Sequence, residues 1–194
     1  MKTAQQSGCT WPGEDPLMQQ YHDTEWGVPL HDDQKIFEFM VLDAFQAGLS
    51  WRTVLHKREA FRKAFADFKP EKIVRFNEAD FERLVNDAGI IRNKQKIAAA
   101  INNAQHFLEV QKEFGSFDKY IWSFTGGKTI TNKHQQTGEI PPRSAESDAM
   151  SKDLIKRGFK FVGSTICYAF MQAAGMVNDH LVVCPRHKAV AKGK

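Results

Sequence analysis

The 194-residue sequence has few cysteines, no long apolar run and little net charge. Its three cysteines, Cys9, Cys167 and Cys184, cannot form a complete disulfide framework, so we expect reduced thiols or thiolate metal ligands. No apolar run approaches the roughly 18–20 residues of a membrane span, and the N-terminus, MKTAQQSGCTW, lacks the apolar segment of a signal peptide. We therefore expect a soluble, cytoplasmic protein with no membrane partner.

The net charge of +4 is unevenly distributed along the chain. Four cations in the last ten residues, Arg186, Lys188, Lys192 and Lys194, equal this excess, so the total does not by itself indicate a nucleic-acid partner. The first 51 residues contain two basic and eight acidic residues, and they also contain four of the seven Trp and Tyr residues. Aromatic faces combined with acids suit a flat, cationic ligand.

Helical periodicity dominates the sequence and predicts an all-α fold. We expect residues 1–184 to form a single domain and the basic segment 185–194 to be a disordered tail. A polar segment over residues 125–142 is predicted to be a loop with one brief strand at most. The predicted helices span residues 33–47, 51–65, 70–76, 78–88, 93–113, 117–124, 145–157 and 164–174.

Several of these helices have recognisable capping residues. Asp32 or Asp33 can cap the first, and Gly48 ends it. Asn77, with Asp80 three residues later, resembles a capping box. Ser144 or Ser147 can begin the helix that starts near residue 145.

Two pairs of potential metal ligands lie at opposite ends of the chain. Twelve residues separate Cys9 from His22, and three separate His180 from Cys184. Two Cys and two His form a donor set typical of structural zinc, which takes four protein ligands and leaves no open position. The alternative is a free thiol, a small buried cysteine and two surface histidines. The spacing alone leaves both interpretations open.

Asp43 is an acid within an apolar helical stripe that includes Ile36 and Phe39. Burying a carboxylate costs several kcal/mol unless it is paired or hydrogen-bonded. Asp43 therefore either braces the core by accepting hydrogen bonds or forms the floor of a pocket for a cationic ligand. The segment that follows, Gln46-Ala47-Gly48-Leu49-Ser50-Trp51, supports the second interpretation because it adds an amide, a turn, an apolar tip and an aromatic ring.

The aromatic residues of the first quarter could simply belong to the core. However, the segment YHDTEWGVP over residues 21–29 is mostly polar and shows neither helix nor strand patterning. Its aromatic side chains are therefore interpreted as pocket walls. The residues concerned are Trp11, Tyr21, Trp26 and Trp51.

The segment KRGFKFVGST over residues 156–165 predicts a helix, a glycine-bounded turn and a second helix. Backbone amides at the start of the second helix suit a phosphate, and Lys156, Arg157 and Lys160 add positive charge nearby. An ordinary turn between two helices would have the same pattern, so the segment alone does not decide between them.

Five strings together resemble the DNA-3-methyladenine glycosylase I family of the helix-hairpin-helix glycosylase superfamily: YHDTEWGVP, FQAGLSW, LVNDAGIIRNKQKI, KRGFKFVGSTICY and VNDH. The resemblance extends from Cys9 to Cys184. It implies an all-α, two-lobed fold in which Cys9, His22, His180 and Cys184 hold one structural zinc ion that joins the chain ends. It also implies a monomer that hydrolyses the N-glycosidic bond of 3-methyladenine in double-stranded, alkylated DNA without cleaving the strand.

The resemblance also implies roles for individual residues. Asp43, the expected catalytic residue, takes the place of a pocket glutamate that is one methylene longer. Tyr21 and Trp51 are expected to sandwich the base, and Leu49 to enter the gap left by the flipped nucleotide. Base-binding roles fall on Trp11, Tyr21, Trp26, Gln46 and Trp51, and DNA-binding roles on Gly48, Leu49, Lys160, Gly163, Ser164 and Thr165. Asp179 is assigned either electrostatic support or orientation of the metal ligand beside it.

Three alternatives remain open at this point. The first is a glycosylase for another alkylated purine, since Asp43 is shorter than the family's glutamate. The second is a non-catalytic helix-hairpin-helix module, which would bind duplex DNA without releasing a base. The third is a metallohydrolase with an open zinc site, against which the Cys2His2 donor set argues.

Overall fold

The structure, a computed structural model, describes residues 8–192. The all-α prediction is confirmed: these residues form eleven α-helices and two strands of two residues each. None of these helices is both long and apolar enough to span a membrane. The helices are α1 (Pro16–Thr24), α2 (Asp33–Gln46), α3 (Trp51–Leu55), α4 (Arg58–Ala64), α5 (Pro70–Ile73), α6 (Glu78–Asn86), α7 (Lys94–Phe114), α8 (Phe117–Trp122), α9 (Ala145–Lys156), α10 (Ser164–Ala173) and α11 (Pro185–Ala191), and the strands are β1 (Ile130–Thr131) and β2 (Val177–Asn178).

Helix α2 lies at the centre of the fold. Its ten consecutive residues Ile36–Phe45 are all buried, as expected for a helix covered on every side. Four α-helices pack directly on it: α3, α7, α8 and α10. Lys96 of α7 donates from Nζ to the carbonyls of Phe45 (2.8 Å) and Ala47 (2.6 Å), so carbonyl groups at the C-terminal end of α2 have partners.

The predicted caps are found where local sequence specifies them. Asp32 accepts a hydrogen bond from the Lys35 amide at the start of α2. Asn77 and Asp80 form the predicted capping box of α6, and Ser144 caps α9. The predicted single helix over 51–65 is wrong, because the helical hydrogen bonding is interrupted at Lys57 and the segment forms α3 and α4.

Two further helices were not predicted. The side chain of Asp15 accepts hydrogen bonds from the amides of Leu17 and Met18, and Pro16 occupies the first turn of α1. The prediction of a disordered tail is wrong over 185–191, which forms α11 with His187 and Val190 buried. Residues 193 and 194 lie outside the described part of the chain.

The loop over 125–142 is fixed to the segment that follows α10. β1 pairs in parallel with β2, with Ile130 opposite Val177 and Thr131 opposite Asn178. The Val182 amide donates to the carbonyl of His134 over 3.0 Å. The loop therefore has a defined position beside the chain that leads to His180.

Candidate functional site

The two predicted ligand pairs meet in one buried cluster. One donor atom from each of Cys9, His22, His180 and Cys184 lies within 4.8 Å of all the others. His22 Nε2 and His180 Nδ1 are 3.1 Å apart, and the three shortest sulfur–nitrogen separations are 3.7–3.9 Å. With zinc–nitrogen bonds of ~2.0 Å and zinc–sulfur bonds of ~2.3 Å, a tetrahedral site requires separations of roughly 3.3 and 3.5 Å. The donor positions are therefore close to those of a tetrahedral metal site.

The orientation of both imidazole rings also fits a cation. His22 Nδ1 donates to Asp23 Oδ1 over 2.6 Å, and His180 Nε2 donates to the Trp26 carbonyl over 2.9 Å. Each ring consequently directs its unprotonated nitrogen into the cluster, where two lone pairs would repel each other without a cation between them. The hydrogen bond from the Cys9 thiol holds the pKa of the Cys184 thiol far below its ordinary value, which favours a thiolate ligand.

A cavity of about 240 Å³ lies next to this cluster, against α2 and α10. The aromatic residues of the first quarter lie in or against the hydrophobic core, and they also line this cavity together with residues of α2. The structure thus gathers the predicted catalytic residue and all the predicted base-binding residues around one space. They are Trp11, Tyr21, Trp26, Asp43, Gln46 and Trp51.

Asp43 is only 4% exposed, and no residue in the range 8–192 donates a hydrogen bond to its Oδ2 atom. Burial raises the pKa of this carboxyl group well above its ordinary value. The alternative in which Asp43 braces the core is therefore not supported, since neither an arginine nor a backbone amide satisfies that oxygen. A polar ligand in the cavity would supply the missing partner.

Two indole nitrogens along the same cavity share this property. Nε1 of Trp11 and Nε1 of Trp51 are buried, and within the described chain neither has an acceptor. Trp11, Trp51 and Asp43 all line this cavity, so its walls carry two indole donors and one carboxyl group without partners in the described chain. Unsatisfied buried polar atoms are uncommon in folded proteins, so their convergence on one cavity indicates a ligand with polar edges.

The expected sandwich of a base between Tyr21 and Trp51 is wrong for this conformation. The two ring centroids are 5.1 Å apart and the planes are inclined by 44°. A base stacked between two rings needs roughly 7 Å, twice the ordinary carbon–carbon contact distance. The Trp11 and Trp26 rings meet edge to face at 5.2 Å, so the aromatic walls surround the cavity and do not form a parallel pair.

The Gly48–Leu49 turn stands at the end of α2, beside the cavity residues Gln46 and Trp51. Gly48 has a φ of +77°, a left-handed conformation that favours glycine. The Leu49 amide donates to the Gln46 carbonyl over 2.6 Å, whereas the Leu49 side chain is 42% exposed. An apolar side chain is thus held outward next to the cavity.

The turn between α9 and α10 has a rigid backbone. A Cβ atom on Gly158, whose φ is +94°, would lie 2.6 Å from His106 Nε2. The Asn103 side chain binds both the amide and the carbonyl of Lys160, at 2.8 and 2.9 Å. Helix α10 begins after Gly163 without a side-chain cap. Its first backbone amides are therefore available to a ligand.

Ser164 and Thr165, at the start of α10, differ in whether their hydroxyl groups are available to a ligand. The Ser164 hydroxyl donates to Asp148, so it already has an acceptor. Thr165 and Lys160 are exposed. An anion bound here would meet backbone amides, Thr165 and Lys160 before it displaced the Ser164 contact.

Five residues that line the cavity were not predicted from the sequence, and one of the two roles predicted for Asp179 is wrong. The five come from the 125–142 loop and from one face of α10: Thr137, Ile140, Ala169, Gln172 and Ala173. The spacing of the α10 residues could have been recognised as one helical face, whereas the loop contribution is tertiary. Asp179 does not orient a metal ligand: its hydrogen bonds come from Tyr168, Gln172 and Asn132.

Comparisons with known proteins identify relatives of this chain. The methyladenine glycosylase family model matches residues 11–187. The chain is 51% identical over 176 residues to DNA-3-methyladenine glycosylase 1 of Escherichia coli (strain K12), covering 91% of this chain and 94% of the relative. It is 45% identical over 177 residues to DNA-3-methyladenine glycosylase of Haemophilus influenzae (strain ATCC 51907 / DSM 11121 / KW20 / Rd), covering 91% and 96%.

Solved structures show the same fold. A crystal structure of 3-methyladenine DNA glycosylase I superimposes with a TM-score of 0.90 at 48% identity, covering 92% of this chain and 98% of that one. A structure on 3-methyladenine recognition by the Staphylococcus aureus enzyme gives a TM-score of 0.89 at 36% identity, covering 92% and 95%. The sequence match and the shared fold show that this chain belongs to the methyladenine glycosylase family.

Proposed function

We propose that this protein is a monofunctional DNA glycosylase that removes 3-methyladenine from alkylated, double-stranded DNA, acts as a monomer and contains one structural zinc ion. The observation that carries the proposal is the buried Asp43 carboxyl group, whose Oδ2 atom has no partner within the described chain and which lines an aromatic cavity. A cationic, planar base supplies what that group lacks: stacking on the aromatic walls and a positive charge beside the carboxylate.

The cavity requires the base to leave the DNA helix. A base stacked inside a duplex cannot enter a cavity in the protein, and a damaged base costs less to unstack than a normal one. Leu49, exposed beside the cavity, is positioned to fill the gap in the duplex. Lys160, Gly163, Ser164 and Thr165 form the start of α10 and the turn before it, where backbone amides bind the DNA phosphates in a helix-hairpin-helix arrangement.

The chemical step needs little acid catalysis. Methylation at N3 makes the adenine a delocalised cation, so the base departs with the electron pair of the N-glycosidic bond as neutral 3-methyladenine. The sugar becomes oxocarbenium-like, water adds at its anomeric carbon and a proton is released, leaving an abasic site. Asp43 binds the charged base as a carboxylate, because a nearby positive charge opposes the effect of burial on its pKa.

Cys9, His22, His180 and Cys184 would hold the zinc ion with four protein ligands, so its contribution is structural. Bound there, the ion would connect the segment carrying Trp11, Tyr21 and Trp26 to the segment after α10. The same four-ligand set disfavours a metallohydrolase, since such an enzyme needs an open position for water.

The test is chromatography of bases released from alkylated duplex DNA. We expect 3-methyladenine to be released in preference to 3-methylguanine and 7-methylguanine. Preferential release of another purine would change the substrate assignment, and duplex binding without any release would indicate a non-catalytic module.

Two variants test the pocket assignment in the same assay. Asp43→Ala and Trp51→Ala should each weaken excision while zinc content stays unchanged. The exposed-surface variant Glu82→Gln serves as a control and should retain activity. Full activity in both pocket variants would show that the cavity is not the base-binding site.

A further inference from the structure

Gln172 presents a fixed polar group at the α10 wall of the cavity. Helix α10 places it with Ala169 and Ala173 on the cavity side. Its side-chain nitrogen Nε2 donates to Asp179 Oδ2 over 2.7 Å. Its backbone carbonyl accepts from the Gly27 amide over 3.0 Å, which ties this residue to the chain beside Trp26.

Asp179 determines which way the Gln172 amide faces. Asp179 is only 1% exposed and accepts two further hydrogen bonds, from the Tyr168 hydroxyl and from Asn132 Nδ2, both over 2.7 Å. Asp179 Oδ1 also lies 3.2 Å from His134 Nε2, so the other groups around this carboxyl group are donors or an ion-pair partner. The amide nitrogen of Gln172 accordingly faces this carboxyl group. Turning the amide would place two oxygens against each other in a buried site.

This orientation leaves the Gln172 carbonyl oxygen Oε1 as an acceptor. Gln172 lines the cavity, and its only side-chain hydrogen bond within residues 8–192 is the one that Nε2 donates to Asp179. The rest of the cavity wall carries the indole donors of Trp11 and Trp51 and the carboxyl group of Asp43. Gln172 therefore adds to the cavity an acceptor that is neutral at every pH and cannot exchange its role with a donor.

We propose that Gln172 determines purine specificity by accepting a hydrogen bond from the exocyclic amine of the flipped adenine, with Asp179 as its positioning residue. The inference rests on the proposed glycosylase function and identifies how the same cavity separates adenine from guanine. Adenine carries an amine at C6, whereas guanine carries a carbonyl oxygen there. A fixed acceptor can bind the amine of adenine. Opposite guanine it would meet the carbonyl oxygen, and neither oxygen would have a hydrogen-bond donor.

The principal experiment measures the ratio of 3-methyladenine to 3-methylguanine released from one alkylated duplex. Gln172→Met keeps the length of the side chain and removes its amide. We expect the ratio to fall about tenfold, the effect of one hydrogen bond. Gln105→Met, an exposed change on α7, is the matched control and should keep the wild-type ratio.

Two further measurements do not depend on whether Gln172→Met folds: one uses a second variant, and the other compares two free bases with the wild-type protein. Asp179→Asn frees the Gln172 amide to turn, so the ratio should move in the same direction. In the wild-type protein, quenching of tryptophan fluorescence should show tighter binding of free 3-methyladenine than of 3-methylhypoxanthine, which has a carbonyl in place of the amine. A general structural defect would lower release of both bases and leave the ratio unchanged.

The possible failures are distinguishable. If the wild-type protein releases no 3-methyladenine, the proposed function is wrong. If it releases 3-methyladenine but folded Gln172→Met keeps the wild-type ratio, or if the wild-type protein binds both free bases equally, the inference on Gln172 is overturned while the proposed function stands.

Discussion

The imidazole of His180 stands edge to face against the indole of Trp26, with ring centroids 4.6 Å apart, and donates from Nε2 to the Trp26 backbone carbonyl. Gly27 makes this approach possible, because a Cβ atom there would lie 3.2 Å from the His180 ring in a backbone with φ of +80°. Trp26 also lines the cavity. A residue of the metal cluster and a wall of the cavity are thus in direct contact.

This contact predicts that loss of the metal also impairs the pocket. Cys184→Ala should abolish stoichiometric zinc, measured by elemental analysis, and weaken quenching of tryptophan fluorescence by 3-methyladenine. Cys167→Ala is the matched control, because Cys167 is buried but lies outside the cluster. Normal base binding by a zinc-free Cys184→Ala protein would show that the cluster does not support the cavity.

Asp43 should make the stability of the ligand-free protein depend on pH. Burial raises its pKa above the ordinary value of 3.8, so the folded state keeps a proton that the unfolded chain releases above that pH. The contribution of neutral Asp43 is fully present below pH 3.8 and is lost as the pH rises toward the folded pKa. Asp43→Asn cannot ionise, so its Tm relative to the wild type should increase with pH.

The Asp43→Asn variant should affect thermal stability and base excision in different ways. Thermal melts of Asp43→Asn, wild type and Glu82→Gln across this pH range give the comparison, with the exposed Glu82 variant expected to parallel the wild type. An Asp43→Asn curve parallel to that of the wild type would contradict the burial of an ionisable carboxyl group. The variant should also lose excision, since it cannot provide a carboxylate to the charged base.

Leu49→Ala should reduce excision from paired DNA with little change in stability. The side chain is 42% exposed, so the free energy of unfolding should change by less than about 0.5 kcal/mol. We expect release from a normal duplex to fall about tenfold, and to fall less when the damaged base faces an abasic site and is already unpaired. An equal loss on both substrates would contradict a role in filling the duplex gap.

Gly158 and Gly163 provide a matched pair on the α9–α10 turn. Gly158→Ala should lower the free energy of unfolding by about 2–3 kcal/mol, because of its positive φ and the overlap with His106. Gly163 has a φ of −61°, and a Cβ atom added there would meet no other atom within 4 Å. Gly163→Ala should therefore fold normally and weaken duplex binding only. Denaturant titration measures the free energy of unfolding, and a binding assay measures the affinity for duplex DNA. Equal destabilisation of the two variants would contradict the prediction.

Local sequence was sufficient where a single residue controls a helix start. Asp32, Asn77 and Ser144 cap their helices through side-chain hydrogen bonds within three residues, and such contacts depend little on the rest of the fold. The same signal was present at Asp15-Pro16 before α1, but the polar composition of residues 21–29 obscured the helix. Helix α11 could not be predicted from its basic composition, because burial of His187 and Val190 depends on the segment it packs against.

The candidate site was predictable in composition but not in arrangement. The resemblance identified Asp43 and the aromatic residues, and the structure places them around one cavity. The distance between Tyr21 and Trp51, and the contribution of Gln172 through Asp179, arise from packing between segments far apart in sequence. Neither could be derived from spacing along the chain.

The position of the cluster ligands also constrains how the protein can be made. His22 and His180 are 158 residues apart, and Cys9 and His180 are 171 apart, yet their side chains must meet. During synthesis the N-terminal ligands emerge from the ribosome long before their partners exist. The cluster can close only after Cys184 has been made, whereas helices α1 to α10 all precede Cys184 in the chain. A chain cut short before Cys184 contains every residue that lines the cavity but lacks one ligand of the cluster beside it, so we expect its cavity wall at Trp26 to be less firmly held.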